Sequence, residues 1–396
     1  MDVLKIPTVL AFYGHMIDQP SKKVARFPAE IEDRVRASID LTIERLDAGF
    51  GYCSPACGSD LIFIEAMLER GSEVHLVMPF ARVDFIETSV RFAGDAWIQR
   101  FNRALDRATS VTYACEESYL EDDTLFQYAA ELVTGMTLLR ASQLGVEPLL
   151  LTVLDSESIP RVGGTAESVI RWKAQNRAVE IVDLAHLRQA APVSQSEESH
   201  STRDATFLVS KHLKIARQVH TMLFGDIVGF SKLREAAAPS FFVKFLGEVA
   251  ELIKTSDPVP ASSNTWGDGL YVVFVDIIDA AQFALNLRDM VLSKDWTTIG
   301  LPADTNIRLG MHTGPVYRAT DPIIERTNYF GSHVNRAARI EPITTPGAVF
   351  CTEQTAGLLA ARSEPGFACD YLGVRELAKN FGSGALYRLR RTSEVE

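Results

Sequence analysis

Two short segments in the second half of the chain carry residue types that can act together. Thr221-Met222-Leu223-Phe224-Gly225-Asp226-Ile227-Val228-Gly229-Phe230-Ser231 reads as an apolar strand ending on a carboxylate and a glycine turn, with a helix start expected next. Asn264-Thr265-Trp266-Gly267-Asp268-Gly269-Leu270-Tyr271-Val272-Val273-Phe274 places a second, glycine-flanked Asp in a tight turn before another strand. An Asp at a strand tip can hold a cation, while free backbone N–H groups at Gly229 and Phe230 receive phosphate oxygens. If the strands are antiparallel neighbours, Asp226 and Asp268 meet. Two carboxylates with two Mg2+ ions about 4 Å apart form a site for in-line displacement at phosphorus. Either Asp alone is most simply a turn residue, so the reading depends on what accompanies the pair.

Two further segments follow, Asn306-Ile307-Arg308-Leu309-Gly310-Met311-His312-Thr313-Gly314-Pro315-Val316 and Asn328-Tyr329-Phe330-Gly331-Ser332-His333-Val334-Asn335-Arg336-Ala337-Ala338-Arg339-Ile340. Across roughly residues 217–392, the four segments resemble the catalytic domain of class III adenylyl and guanylyl cyclases, in that family's order and spacing. The resemblance implies an α+β, ferredoxin-like domain. It implies that Asp226, Asp268 and the carbonyl of Ile227 hold two Mg2+ or Mn2+ ions per site, and that Gly229 and Phe230 lie against the substrate. The implied substrate is a nucleoside triphosphate whose 3′-hydroxyl loses its proton and attacks the α-phosphorus, releasing pyrophosphate and leaving a 3′,5′-cyclic nucleotide. Asn335 matches the asparagine that orients the ribose. Arg339, four residues on and expected on the same helical face, matches the arginine that meets charge building on the transferring phosphate. Lys379, in Glu376-Leu377-Ala378-Lys379-Asn380-Phe381-Gly382, matches less closely a lysine that contacts the terminal phosphates; its plain reading is a solvated surface lysine. In the family one domain supplies the aspartates and a second supplies the asparagine and arginine. A single such domain therefore implies a homodimer with two equivalent sites.

The base-reading positions depart from the family. Adenylyl cyclases commonly carry a lysine where this chain has Asn264, and an aspartate or threonine where it has Asn328. Guanylyl cyclases typically carry a glutamate and a cysteine there. Asparagine both donates and accepts, which leaves adenine, guanine and the pyrimidines open; ATP is favoured by family frequency alone. A reading of another class, an inactive nucleotide-binding or dimerisation module, has the intact Asp226, Asp268, Asn335 and Arg339 against it. Trp266 reads as a core or interface residue before a base-stacking one, and His312 and His333 read as structural. The Cys53-x-x-x-Cys57 spacing would suit a metal only on a helix, and it has no second pair nearby.

The elements that must position these groups belong to a chain of 396 residues, enough for two domains. Hydrophobic residues at 46% and charged residues at 23% are ordinary for a globular protein. A net charge of −11 argues against nucleic acid as a partner and means that an anionic substrate needs a local positive site. No apolar run approaches the ~18 residues of a membrane span, and the first residues, Met1 to Ile6, lack the apolar core of a signal peptide. Five cysteines, an odd and sparse set, do not suggest a disulfide framework. The expectation is a cytoplasmic protein with reduced thiols and no membrane contact.

The first half alternates apolar strands at Val9–Tyr13, Val74–Met78, Val111–Ala114 and Pro148–Leu154 with helical stretches at Pro28–Ala48, Asp60–Arg70 and Leu125–Gln143. That alternation predicts an α/β domain with a mostly parallel sheet covered on both faces. Glycine loops are expected at Gly14, along Gly49 to Asp60 with Gly58 and Ser59 opening a helix, and at Gly163-Gly164. Small residues at a strand-to-helix junction leave N–H groups for an anion, though they equally well shape turns. The Gly14 turn, the Gly58-Ser59-Asp60 helix start and the Met78-Pro79-Phe80 strand end loosely resemble nucleotide-sensing Rossmann-like domains of the DNA-processing and lysine-decarboxylase-like families. That resemblance implies a nucleotide-like ligand at Gly14, Gly58, Ser59, Gly163 and Gly164 and a regulatory role. The expected organisation is a Rossmann-like domain at 1–186, a Ser-, Ala- and Glu-rich linker at 187–204, a connecting helix at 205–218 and the catalytic domain at 219–393.

Overall fold

Val9, Leu10, Ala11 and Phe12 follow one another without a polar residue, and all are buried, as a strand covered on both faces requires. The computed structural model describes residues 6–19, 25–121, 123–156, 165–189, 217–230 and 233–394. The chain divides into two units, Met1–Leu213 and Lys214–Glu396. In the first, the elements run β1 (Thr8–Gly14), α1 (Glu32–Arg45), β2 (Ala48–Cys53), α2 (Ser59–Glu69), β3 (Glu73–Met78), α3 (Arg82–Ser89), α4 (Asp95–Arg107), β4 (Ser110–Tyr113), α5 (Thr124–Leu144), β5 (Leu149–Leu154), α6 (Thr165–Ala174), β6 (Ala178–Asp183) and α7 (Leu184–Gln189). The strands form one sheet in the order β4-β3-β2-β1-β5-β6, every pair parallel. Winding proceeds outward from β1 to β4 and then reverses to β5 and β6, so the sheet is doubly wound with its switch point between β1 and β5.

The expected parallel α/β sheet is present, with two strands that the sequence pattern hides. Gly49 and Gly51, expected in a glycine loop, lie inside β2, beside the central strand. A Cβ on Gly51 would stand 3.0 Å from the Phe63 ring, and one on Gly49 2.4 Å from Pro7 Cβ. These glycines therefore admit close neighbours to a strand, one of the uses of glycine inside a sheet. The other hidden strand, β6, lies at the sheet edge. Helix α7 extends to Gln189, so residues 187–189 are helical where a linker was expected. Residues 190–204 of that linker, residues 205–216 of the connecting helix, and Gly163 and Gly164 lie outside the described residues. Arg217 and Gln218, expected to end that helix, instead open a strand.

The second unit runs β7 (Arg217–Val228), α8 (Ala238–Ser240), a π turn (Phe241–Phe245), α9 (Leu246–Thr255), β8 (Ser262–Trp266), β9 (Gly269–Phe274), α10 (Ile277–Ser293), β10 (Asn306–Asp321), β11 (Arg326–Phe330), α11 (Ser332–Ala337), β12 (Val349–Thr352), α12 (Glu353–Arg362), β13 (Phe367–Glu376) and β14 (Ser383–Arg391). Its mixed sheet has the order β13-β14-β12-β10-β7-β9-β8, with β11 folded onto β10. Only β10 and β12 pair in parallel among the described strands of this sheet. The long antiparallel pairing of β7 with β10, from Asn306 opposite Val228 to Tyr317 opposite Arg217, sets the frame for everything that follows. Among the described residues no helix is long and apolar enough to cross a membrane.

Candidate active site

β7 lies between β9 and β10, and the two registers bring the site together. Gly225 pairs with Leu270, so the Gly267-Asp268 turn joining β8 to β9 falls beside Asp226 at the end of β7. On the other side Asp226 pairs with Arg308 of β10, and facing residues of an antiparallel pair share a sheet face. The Arg308 guanidinium donates through Nη2 to Asp226 Oδ2, and its Nε lies 3.1 Å from Glu341 Oε1. Glu341 gets there because its turn lies directly on β10: a Cβ on Gly310 would be 2.4 Å from the Glu341 nitrogen.

The charges in this cluster do not balance. Partial burial, with Asp226 alongside, raises the Asp268 carboxyl above its ordinary range, while its own backbone N–H and Arg308 pull the other way. Burial raises Glu341 further, to about 7, with Asp226 and Asp268 adding to the rise and Arg308 opposing it. Three carboxyl groups thus share one guanidinium, an arrangement that a cation would relieve. Among the described residues no cluster of three or more His, Cys, Asp or Glu side chains is arranged to hold a metal. Asp226 and Asp268 could hold a cation only with further oxygens from backbone or another molecule to complete its shell. Arg308 stood inside a quoted motif without a role, and Glu341 one residue beyond another. The sequence offered no signal that would bring either of them to Asp226.

Asn335, Arg339 and Lys379 form a separate group. Asn335 is exposed on α11, whereas Arg339 lies beyond the helix end at Ala337, in a turn where its N–H donates to Arg336 O. The expectation that Arg339 shares a helical face with Asn335 is therefore corrected: α11 stops after six residues. The Ala378 N–H donates to Arg339 O at 3.2 Å, which ties the exposed Lys379 turn to Arg339. Among the described residues no side-chain hydrogen bond or ion pair engages Asn335, Arg339 or Lys379, and none joins them to Asp226 or Asp268.

The expected substrate contacts divide in the same way. Gly229 is exposed, with no described residue within 4 Å of where its Cβ would stand, and Phe230 packs on Phe241 with ring centroids 4.6 Å apart. The helix start expected after this turn includes Ser231, outside the described residues. Asn264 pairs with Tyr271, and the Tyr271 hydroxyl donates to Tyr329 O, next to Asn328. That contact brings the strands of the two asparagines together. Asn264 Oδ1 accepts from Thr265 N, and Asn328 donates to Asp321 Oδ2 at 3.2 Å. Trp266, expected in a core or interface, is 60% exposed in the single chain.

In the first unit, Gly14, Gly58 and Ser59 are packed together at the ends of β1 and β2. Ser59 donates to His15 O through both its N–H, at 3.2 Å, and its hydroxyl, at 2.7 Å. A Cβ on Gly14 would stand 2.0 Å from Ser59 Oγ. Asp60 is buried beneath, accepting from Gly14 and Ala56 N–H groups, with its carboxyl pushed well up by burial. Cys53 ends β2 and Cys57 sits in the next turn, so the helical spacing a metal pair would need is not formed. Burial pushes the Cys57 thiol up to about 12.

Residues 215–386 match the family described as the adenylate and guanylate cyclase catalytic domain. Among curated proteins the chain is similar to the pH-sensitive adenylate cyclase MT1302 of Mycobacterium tuberculosis, 29% identical over 216 residues, covering 53% of this chain and 48% of that protein. It is also similar to guanylate cyclase 2G of Mus musculus, 34% identical over 153 residues, covering 36% of this chain and 14% of that protein. The chain thus spans about half or less of these relatives' lengths. Among solved structures, the adenylyl cyclase CyaB of P. aeruginosa aligns at 22% identity and a TM-score of 0.40, covering 45% of this chain and 96% of that one. The guanylate cyclase domain of RhGC from Catenaria anguillulae aligns at 22% identity and 0.38, covering 44% and 97%. The second unit of this chain, over residues 215–386, is a member of the adenylate and guanylate cyclase catalytic-domain family.

Proposed function

We propose that this domain converts a nucleoside triphosphate, preferentially ATP, into its 3′,5′-cyclic nucleotide and pyrophosphate, and that two copies of the chain build each site. The observation that carries the reading is the meeting of Asp226 and Asp268 from separate turns, with Glu341 a third carboxyl beside them and, among the described residues, the Arg308 guanidinium opposing them. The two aspartates, with the Ile227 carbonyl, hold the cations, and Mg2+ or Mn2+ bound there supplies positive charge that makes the 3′-hydroxyl more acidic and offsets the triphosphate. Arg308 can exchange Asp226 for a phosphate oxygen, and the N–H groups of Gly229 and Phe230 receive others. Asn335 orients the ribose. As the O3′–Pα bond forms and the bond from Pα to pyrophosphate breaks, Arg339 meets the charge on the α-phosphate oxygens. Lys379 lies with Arg339 and suits the terminal phosphates.

Among the described residues the side chains of Asn335 and Arg339 make no hydrogen bond or ion pair, which supports their use by the aspartates of a second copy. Incubating the protein with each of the four triphosphates and Mn2+ or Mg2+ tests the activity; cyclic product from none leaves a binding or dimerisation module. Mixing equal amounts of Asp268→Ala and Arg339→Ala chains tests the sharing. Half the dimers are mixed and each mixed dimer has one intact site of two, so about a quarter of wild-type activity returns. No recovery despite verified subunit exchange defeats the shared site.

Asn264 and Asn328 are assigned to the base, on the resemblance and on their meeting through Tyr271 and Tyr329. Replacing them by Lys and Asp shifts kcat/KM towards ATP by about tenfold, about 1.4 kcal/mol. Unchanged ratios among the four triphosphates remove both from base reading. For the first unit we propose a regulatory ligand of nucleotide type in the crevice at the β1/β5 switch point, where open α/β sheets bind ligands. Absence of any nucleotide-induced rise in melting temperature removes that assignment.

A further inference from the structure

Two imidazoles that the proposed chemistry does not use lie beneath the helix that carries Asn335. His312 of β10 is 0% exposed, and His333 in the first turn of α11 is 6% exposed. Their rings are parallel within 2°, and His312 Nε2 is 2.8 Å from His333 Nδ1. β10 is shaped to receive the second ring: a Cβ on Gly314 would stand 2.2 Å from His333 Nδ1. The other nitrogen of His312, Nδ1, lies 2.8 Å from Thr352 Oγ1, and Thr352 is the N-cap of α12. From Thr352 the line continues to Thr355 Oγ1 at 3.1 Å, then to Thr313 Oγ1 at 3.3 Å and Thr221 Oγ1 at 3.0 Å. Thr355 Oγ1 also accepts from Thr313 N at 2.8 Å. All six side chains are buried.

This line joins β7, β10 and the cap of α12 to α11, and it constrains α11 in a way apolar packing does not. A single hydrogen lies between the facing nitrogens, so one ring donates and the other accepts. Rotating or sliding α11 would leave a buried nitrogen unpaired, at a full desolvation cost. α11 has six residues, far too few to be stable by itself, so its direction comes from tertiary contacts. Val334 and Ala337 supply the apolar ones, packing with Met222, Tyr271, Val316 and Tyr329; His333 supplies the directional one. Asn335 lies two residues beyond His333, with Arg339 just past the helix end.

We propose that the His312–His333 pair is a positioning device that fixes the rotation and depth of α11 and so places Asn335 and Arg339 for cyclisation. The catalytic consequence rests on the cyclase reading; the holding of the helix does not.

The test uses the full chain with His333→Asn and His333→Leu. The Asn amide falls where the imidazole Nδ1 stood and can still pair with His312, whereas Leu fills the space and leaves His312 Nε2 unpaired. The first readout is hydrogen exchange of the Ala337, Ala338, Arg339 and Ile340 amides. The Leu variant exchanges at least about tenfold faster than wild type and the Asn variant within about threefold of it. The second is turnover: about 30-fold lower for Leu with KM within about twofold, and within about threefold of wild type for Asn. A folded Leu variant with wild-type exchange overturns the proposal, as does an Asn variant that loses as much as Leu. If the Leu chain shows no melting transition, His333→Gln, whose amide falls at the Nε2 position, replaces it with the same expectations. A wild-type protein that cyclises no triphosphate defeats the cyclase reading, and the exchange comparison still decides the role of the pair.

Discussion

Both units carry glycines beside polar residues at strand ends, and the two sets do opposite work. At the ends of β1 and β2, Gly14 and Gly58 let two turns interlock: a Cβ on Gly58 would stand 2.3 Å from Ile17 N, and Gly58 sits at φ +102°. At the ends of β7 and β8, Gly229 and Gly267 also have left-handed φ, +83° and +67°, but among the described residues nothing lies within 4 Å of a Gly229 Cβ, and a Gly267 Cβ meets Phe230 at 3.9 Å. In the first unit the turns meet each other, whereas in the second, among the described residues, the turns beside the carboxylates stay open. One sequence signal therefore has two physical meanings, separated by what stands opposite the missing Cβ.

The largest effect expected from this contrast is chemical. Asp226→Ala or Asp268→Ala lowers turnover by about 10²–10³-fold or more, with the melting temperature of the second unit within about 2 °C of wild type or above it. Removing one of three carboxyls crowded around one guanidinium relieves like-charge repulsion and offsets the lost contact; a variant keeping a tenth of wild-type activity breaks the assignment. The packed turn should respond in stability instead. Gly58→Ala forces both a backbone overlap and a conformation that side chains avoid, and lowers the stability of the first unit by about 3 kcal/mol. Wild-type melting of that unit in Gly58→Ala would break the packed-turn reading.

Protons sharpen the comparison within the second unit. His312 and His333 are buried where the Asp226 and Asp268 carboxylates stay partly open. Burial, with Arg336 and Arg217 near, lowers His333 to about 3, and burial with His333 and Arg336 near holds His312 well below its ordinary range. An unfolded histidine takes up its proton below about pH 6.5. Between that pH and about 3, the unfolded state holds the proton that folded His333 refuses. The stability is therefore complete above pH 6.5 and declines as pH falls, by about 1.4 kcal/mol per unit for each histidine. Denaturant unfolding at pH 7.0, 6.0 and 5.5 measures it, and His333→Asn should remove from the slope the share of one histidine, about 1.4 kcal/mol per unit. The smallest effect is expected at Gly229→Ala, where only the left-handed backbone objects: about 1–2 kcal/mol. A much larger loss would mean that this turn, too, is packed.

Element type was largely legible in the sequence. Val9–Phe12 and Leu149–Leu154 read as doubly buried strands and α1, α2 and α5 as helices, because apolar spacing is a local property. β2 was not legible, since glycines that admit Pro7 and Phe63 look like loop glycines until those neighbours are in place. In the site, Asp226 and Asp268 could be named from their turns, and Asn335 and Arg339 from the family's order. Arg308 and Glu341 could not, because what they touch depends on strand register. Arg308 reaches Asp226 across 82 residues of chain, through a β7–β10 pairing in which a one-residue slip would send its side chain to the other face. His312 and His333 show the same limit: their types were visible, but their pairing depends on α11 lying over β10. Local patterns decide which residues form strands, turns and helix ends, since those depend on neighbours in sequence. Only the tertiary structure decides which charges meet, which histidines share a proton and which glycines are filled against, since those depend on residues far apart in the chain.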